Sequence, residues 1–143
     1  GFEGRIIFVD EDVKQIPLNA GEMRNYYNDL DYYLCASWNE GTPNPALESG
    51  ACGVPIVTTR VGNMPDLIVE GKNGYFVDPT VDSIVGRFNS LRDISFNKYS
   101  EMSWAIRDSV VTNWSWQRNI GYFLAAFDAL INQRSIVPKE YRS

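Results

Sequence analysis

The feature that most constrains this chain is its alternation of short apolar runs rich in β-formers with segments of helical period. The runs are Arg5–Val9 (RIIFV), Tyr32–Ala36 (YYLCA), Pro55–Thr59 (PIVTT) and Gly74–Val77 (GYFV). Each is too short for a helix and too continuously apolar for a strand with one wet face, so each reads as a buried strand. Between the first two, Met23, Tyr26, Tyr27 and Leu30 fall on one face of a helix over Asn19–Leu30, with Asn19 as its cap. Pro45–Cys52 reads as a short helix with Asn44 as N-cap, Pro45 in first position and Gly53 as its stop. Beyond Pro79 three amphipathic stripes follow: Val81-Ile84-Val85-Phe88-Leu91, then Tyr99-Met102-Ile106-Val110, then Ile120-Phe123-Leu124-Phe127-Leu130. Such a pattern predicts an α/β fold, a Rossmann-like parallel sheet flanked by helices. Ligands of these sheets sit at the carboxyl ends of the strands, in loops that lead into helices. The loop Ser37–Asn44 is therefore the first place to look for a site.

Composition narrows the chemistry. The 143 residues carry 13 basic and 18 acidic side chains, a net charge of −5, which argues against nucleic acid as a partner. No histidine is present, which removes His general bases, Ser-His and Cys-His nucleophiles and most catalytic zinc sites from this chain. Cys35 and Cys52 lack metal-ligand spacing and read as small buried hydrophobes. No apolar run approaches the roughly 20 residues of a membrane helix. The opening Gly1-Phe2-Glu3-Gly4 lacks a leader pattern, so the expected location is cytoplasmic.

The segment Ser37–Thr59 (SWNEGTPNPALESGACGVPIVTT) concentrates the remaining chemistry. Glu40 lies in the loop and Glu48 in the first turns of the following helix, eight residues later. A side chain at that point of a helix leans back over the N-terminal turn, so both carboxylates can flank one ligand. Between them lies a helix N-terminus with free N–H groups expected at Ala46 and Leu47, a partial positive charge suited to phosphate. Carboxylates accept several O–H bonds each and suit hydroxyl-rich groups. Together they fit a sugar nucleotide, and Gly41 lets the backbone come close to it. The plainer alternative is a capping glutamate and a solvated one. Arg60, at a strand carboxyl end, is within reach of a ligand, though a solvated loop arginine is the simpler reading. Tyr26, Tyr27, Tyr32 and Tyr33 read as packing, as do Trp104, Trp114 and Trp116.

These residues resemble the donor-binding core of retaining glycosyltransferases of the GT-B fold, the group 1, family 4-like transferases. The resemblance rests on Glu40-Gly41, Pro43-Asn44, Leu47-Glu48, Ala51-Cys52-Gly53 and Pro55-Ile56-Val57. It continues through Val61-Gly62-Asn63-Met64-Pro65-Asp66 and Glu70-Gly71-Lys72-Asn73-Gly74 to Asp78-Pro79, and extends over about residues 5–131. Two long motifs in the right order make it specific. Ser49-Gly50 stands where the family usually has Ala-Met, and Asn63 replaces the second glycine of a Gly-Gly pair.

The resemblance implies an incomplete C-terminal lobe of a GT-B fold over residues 1–134, followed by a tail over 135–143. The first strands of that lobe, with their Arg and Lys diphosphate clamp, and the whole acceptor lobe have no counterpart here, so the chain is expected to be inactive by itself. By resemblance, Glu40 is the catalytic residue, supporting the donor sugar rather than attacking it. Gly41, Thr42, Pro43, Asn44, Leu47 and Glu48 bind the donor, Glu48 through the ribose hydroxyls, and the loop Val9–Val13 lies near the base. The donor is a UDP- or GDP-sugar, no metal or other cofactor takes part, and a glycan or lipid acceptor comes through the missing lobe. Peripheral contact with the cytoplasmic face of a membrane is an option for a full-length protein of this kind. A sugar-nucleotide-binding module without turnover, or a related GT-B enzyme such as an epimerase, are the alternatives; the paired glutamates and Asn44 favour a transferase over an epimerase.

Overall fold

A computed structural model describes residues 19–134. The strand expected at Arg5–Val9, the loop Val9–Val13 and the tail lie outside the described residues. Helix α1 (Ala20–Asn28) opens on a complete capping box, in which the Asn19 side chain accepts from Gly21 and Glu22 N–H while Glu22 accepts from Asn19 N–H. Strand β1 (Tyr33–Cys35) follows, then α2 (Asn44–Ala51) and β2 (Ile56–Thr58). The single turn α3 (Met64–Leu67), which periodicity is too short to reveal, leads to β3 (Gly74–Phe76). The C-terminal part is helical: α4 (Val81–Leu91), α5 (Phe96–Asn113) and α6 (Trp116–Arg134).

The sheet is parallel in the order β1-β2-β3, with Tyr33 opposite Ile56 and Ile56 opposite Gly74. Parallel pairing demands helical crossovers, and here they cover both faces. Alternation along β2 shows it: Ile56 points into a core with Ala46, Met64, Leu67, Ile106 and Val110, whereas Val57 points into a second core with Val77 and Leu91. Gly74 is required in β3, because a Cβ there would stand 2.4 Å from the Ile56 carbonyl oxygen.

Helix α2 ends in a Schellman motif. Val54 N–H reaches the Ser49 carbonyl, Gly53 N–H reaches that of Gly50, and Gly53 takes φ +84. The Ser49-Gly50 departure has a packing reason. Ser49 is fully buried and donates to the Ala46 carbonyl, and a Cβ on Gly50 would lie 3.0 Å from Val110 and 3.1 Å from Ile106. A poor helix former thus lets α5 close on α2.

Three expectations change. On α4 the inward row is Ile84, Phe88 and Leu91 at i, i+4, i+7, while Val81 and Val85 face solvent. Trp114 packs against the first core, but Trp104 is exposed, and so is Trp116, whose ring lies tilted against Phe123 at 5.6 Å. Helix α6 forms over its apolar stripe, yet Ile120, Phe123, Leu124, Phe127 and Leu130 stay exposed, because no described element covers that face.

Candidate functional site

The loop after β1 is held by the loop after β2. Thr59 Oγ1 donates to the Ser37 carbonyl at 2.6 Å, and Asn63 N–H donates to the Gly41 carbonyl at 3.2 Å. Between these ties Gly62 takes φ +49, and a Cβ there would fall 1.8 Å from the Gly41 oxygen. The close approach and the left-handed backbone both demand glycine. The Ser37 hydroxyl in turn donates to Glu40 Oε1 at 2.8 Å, which orients an otherwise exposed carboxylate. Gly41 and Thr42 are exposed beyond it, and a Cβ on Gly41 would meet nothing within 4 Å.

The start of α2 differs from expectation. Asn44 is its first residue rather than its cap; the cap is Pro43, which makes no side-chain bond. The Pro43 carbonyl accepts from Ala46 N–H at 2.9 Å and from Leu47 N–H at 3.4 Å, so the two donors expected to be free are engaged. Pro45 has no N–H, which leaves the Asn44 N–H to project from this turn. Pro43 is buried, Asn44 exposed, and Leu47 half-buried against the first core.

Glu48 is the fifth residue of α2 and exposed, but not loose: the Tyr27 hydroxyl, 21 residues upstream on α1, donates to its Oε2 at 2.9 Å. Tyr27 is only 3% exposed, and burial, then the hydrogen bond to Glu48, then the Glu48 charge push its phenol far above the ordinary tyrosine range. Tyr33, edge-on to Tyr27 at 6.5 Å, is pushed up to about 12, first by burial and then by Cys35, Tyr26, Glu40 and Glu48. One half-buried phenol thus feels both carboxylates. The helical period puts Tyr27 on the packing face and gives no sign of its bond to Glu48, because that partner lies on another element. Burial comes first in raising the Cys52 thiol, consistent with a packing role.

A second feature adjoins the first. A cleft of about 540 Å³ opens over the carboxyl ends of β2 and β3, lined among others by Ser37, Trp38, Arg60, Asp78 and Arg87. Ser37 and Trp38 belong to the loop that the sequence singles out and Arg60 to the strand end that it names, whereas Arg87 carries no signal there. Among the described residues no group of three His, Cys, Asp or Glu could hold a metal ion, and no helix is long and apolar enough to cross a membrane.

Comparison with known proteins agrees with this architecture. The chain is 39% identical over 62 residues to a D-inositol 3-phosphate glycosyltransferase of Arthrobacter sp. (strain FB24), covering 43% of this chain but 15% of that relative's length. Among solved structures, the C-terminal domain of a glycosyl transferase group 1 family protein from Francisella tularensis matches with a TM-score of 0.59 and 28% identity, over 68% of this chain and 50% of that one. Anabaena HepE, solved in complex with UDP, matches with a TM-score of 0.62 and 18% identity, over 71% of this chain and 29% of that one, a likeness of fold. Residues 4–92 match the family model described as glycosyl transferases group 1, and the chain belongs to that family.

Proposed function

We propose that this chain forms the donor-binding part of a retaining glycosyltransferase, which moves a hexosyl group from a UDP- or GDP-sugar to a glycan, lipid or small-molecule acceptor. The observation that carries the reading is the pair of oriented carboxylates, Glu40 held by Ser37 and Glu48 held by Tyr27, on either side of the first turn of α2. In this reading Glu48 accepts the ribose hydroxyls, and Gly41, Thr42, Pro43 and Asn44 lie along the sugar and diphosphate. Leu47 supports that turn from the core. Glu40 is the catalytic residue, supporting the donor sugar as its bond to the diphosphate loosens. The α2 dipole and the Asn44 N–H meet part of the leaving-group charge, with no metal required. The UDP in the Anabaena structure is consistent with such a donor. Acceptor and any membrane contact belong, in this proposal, to other parts of a longer, cytoplasmic protein.

The test is turnover by the full-length protein with UDP-glucose and GDP-mannose as donors. Transfer with the donor's anomeric configuration kept, and a fall on the order of 100-fold in kcat for Glu40→Gln, is the expected result. An inverted product would exclude the retaining mechanism, and nucleotide binding without turnover would favour the binding module.

A further inference from the structure

The cleft beside Glu40 has a composition that the donor site does not use. Arg60 lies with its guanidinium carbon 3.9 Å from the Phe76 ring centroid, a cation–π contact that holds the group at the cleft and leaves N–H groups to donate. The ion pairs among the described residues are Arg87–Glu70 and Arg92–Asp93, so no carboxylate there matches the Arg60 charge. Arg87 differs: it sits 4.5 Å over Tyr75 and pairs with Glu70 Oε1 at 3.0 Å, while Glu70 Oε2 accepts Phe76 N–H at 2.7 Å. That pair is a neutral wall. Asp78 lines the same cleft and its carboxylate has no ion pair among the described residues. Trp38, also in the lining, is 80% exposed. Ser37 belongs to both sites, since it lines the cleft while its hydroxyl holds Glu40.

An exposed indole, an unmatched guanidinium and an unmatched carboxylate around about 540 Å³ describe a site for a small polar ring rather than an apolar ligand. A planar guanidinium pairs best with a phosphate or carboxylate, in two parallel bonds. A carboxylate takes hydroxyl donors, and an indole face takes the C–H face of a ring. We propose that this cleft binds a sugar or cyclitol carrying a phosphate or carboxylate: the ring on Trp38, the anion on Arg60, the hydroxyls on Asp78. This site is separate from the donor site and from the acceptor region proposed above, and its binding does not rest on the glycosyltransferase reading.

The Trp38 indole N–H resonance of the full-length protein, assigned with Trp38→Phe, reports occupancy. It is titrated with glucose 6-phosphate, glucuronate, glucose and inorganic phosphate. Saturable shifts with glucose 6-phosphate or glucuronate are expected, with glucose and inorganic phosphate about tenfold weaker. Which of the first two binds tells phosphate from carboxylate. Arg60→Gln raises that Kd about tenfold and leaves the Kd for UDP unchanged. Equal affinity for glucose, an unchanged Kd in Arg60→Gln, or no shift with any probe would overturn the proposal. Titration of Glu48→Ala with UDP reads the donor site separately, so loss of the donor reading leaves the Trp38 result standing.

Discussion

Tyr27 is where packing and chemistry meet. Its ring is core and its hydroxyl orients an exposed carboxylate 21 residues away. Tyr27→Phe keeps the ring and removes the bond, so urea denaturation should show a loss of about 1 kcal/mol. UDP should bind several-fold more weakly as Glu48 gains rotamer freedom; an unchanged Kd would show that the bond serves stability alone. At Gly62 a Cβ meets backbone, which cannot swing aside as a side chain would. Gly62→Ala should therefore cost about 2 kcal/mol or more and displace the Glu40 loop, visible as shifted amide resonances at Gly41 and Thr42. Glu40 and Glu48 were legible in the sequence, because their spacing around a helix start is local. Tyr27 and the Arg60–Phe76 stack were not, since each depends on two elements meeting. The direction of the Ala46 and Leu47 N–H groups was misjudged because a proline carbonyl at the cap took both donors, a detail of one ψ angle (+88° at Pro43) that composition does not encode.

Helices α2 and α5 set the site against the core. Two opposing effects decide what Gly50 does. Alanine would add up to about 1 kcal/mol of helix propensity, but its Cβ would crowd Ile106 and Val110 at 3.1 and 3.0 Å. Gly50→Ala should come out near neutral, whereas Gly50→Leu should lose about 1–3 kcal/mol by prying the helices apart. Ile106, fully buried in the same contact, should cost about 2–5 kcal/mol as Ile106→Ala. Thermal or urea unfolding checks each. The strands within the described residues and helices α1, α2 and α4 lie where periodicity places them, give or take two residues at the ends, whereas α5 and α6 run three and four residues past their apolar stripes at each end. Periodicity failed on which residues were inward: α4 buries only the part of its stripe that overlies the sheet, and α6 shows that an apolar stripe forms a helix without being covered.

Among the described residues, a parallel sheet of three strands with helices on both faces carries its candidate site in loops over the strand carboxyl ends. Two tyrosines at the amino end of β1, Tyr32 and Tyr33, make the fold sensitive to alkali. Burial is the first cause that raises Tyr32 and Tyr33 from 10.0 to about 12. The folded state therefore holds those protons longer than the unfolded one, and their contribution is intact below pH 10 and lost as pH rises through about 12. Urea midpoints that fall over this window, together with late tyrosinate absorbance, are the expected result. In the proposed function Glu40 and Glu48 frame a nucleotide-sugar site. Titrating the full-length protein with UDP and GDP, followed by amide resonances and calorimetry, tests it directly. Saturable binding that moves the resonances of residues 40–48, weakened at least about tenfold in Glu48→Ala, is predicted. Binding of neither nucleotide at that segment, or equal affinity in Glu48→Ala, would contradict it.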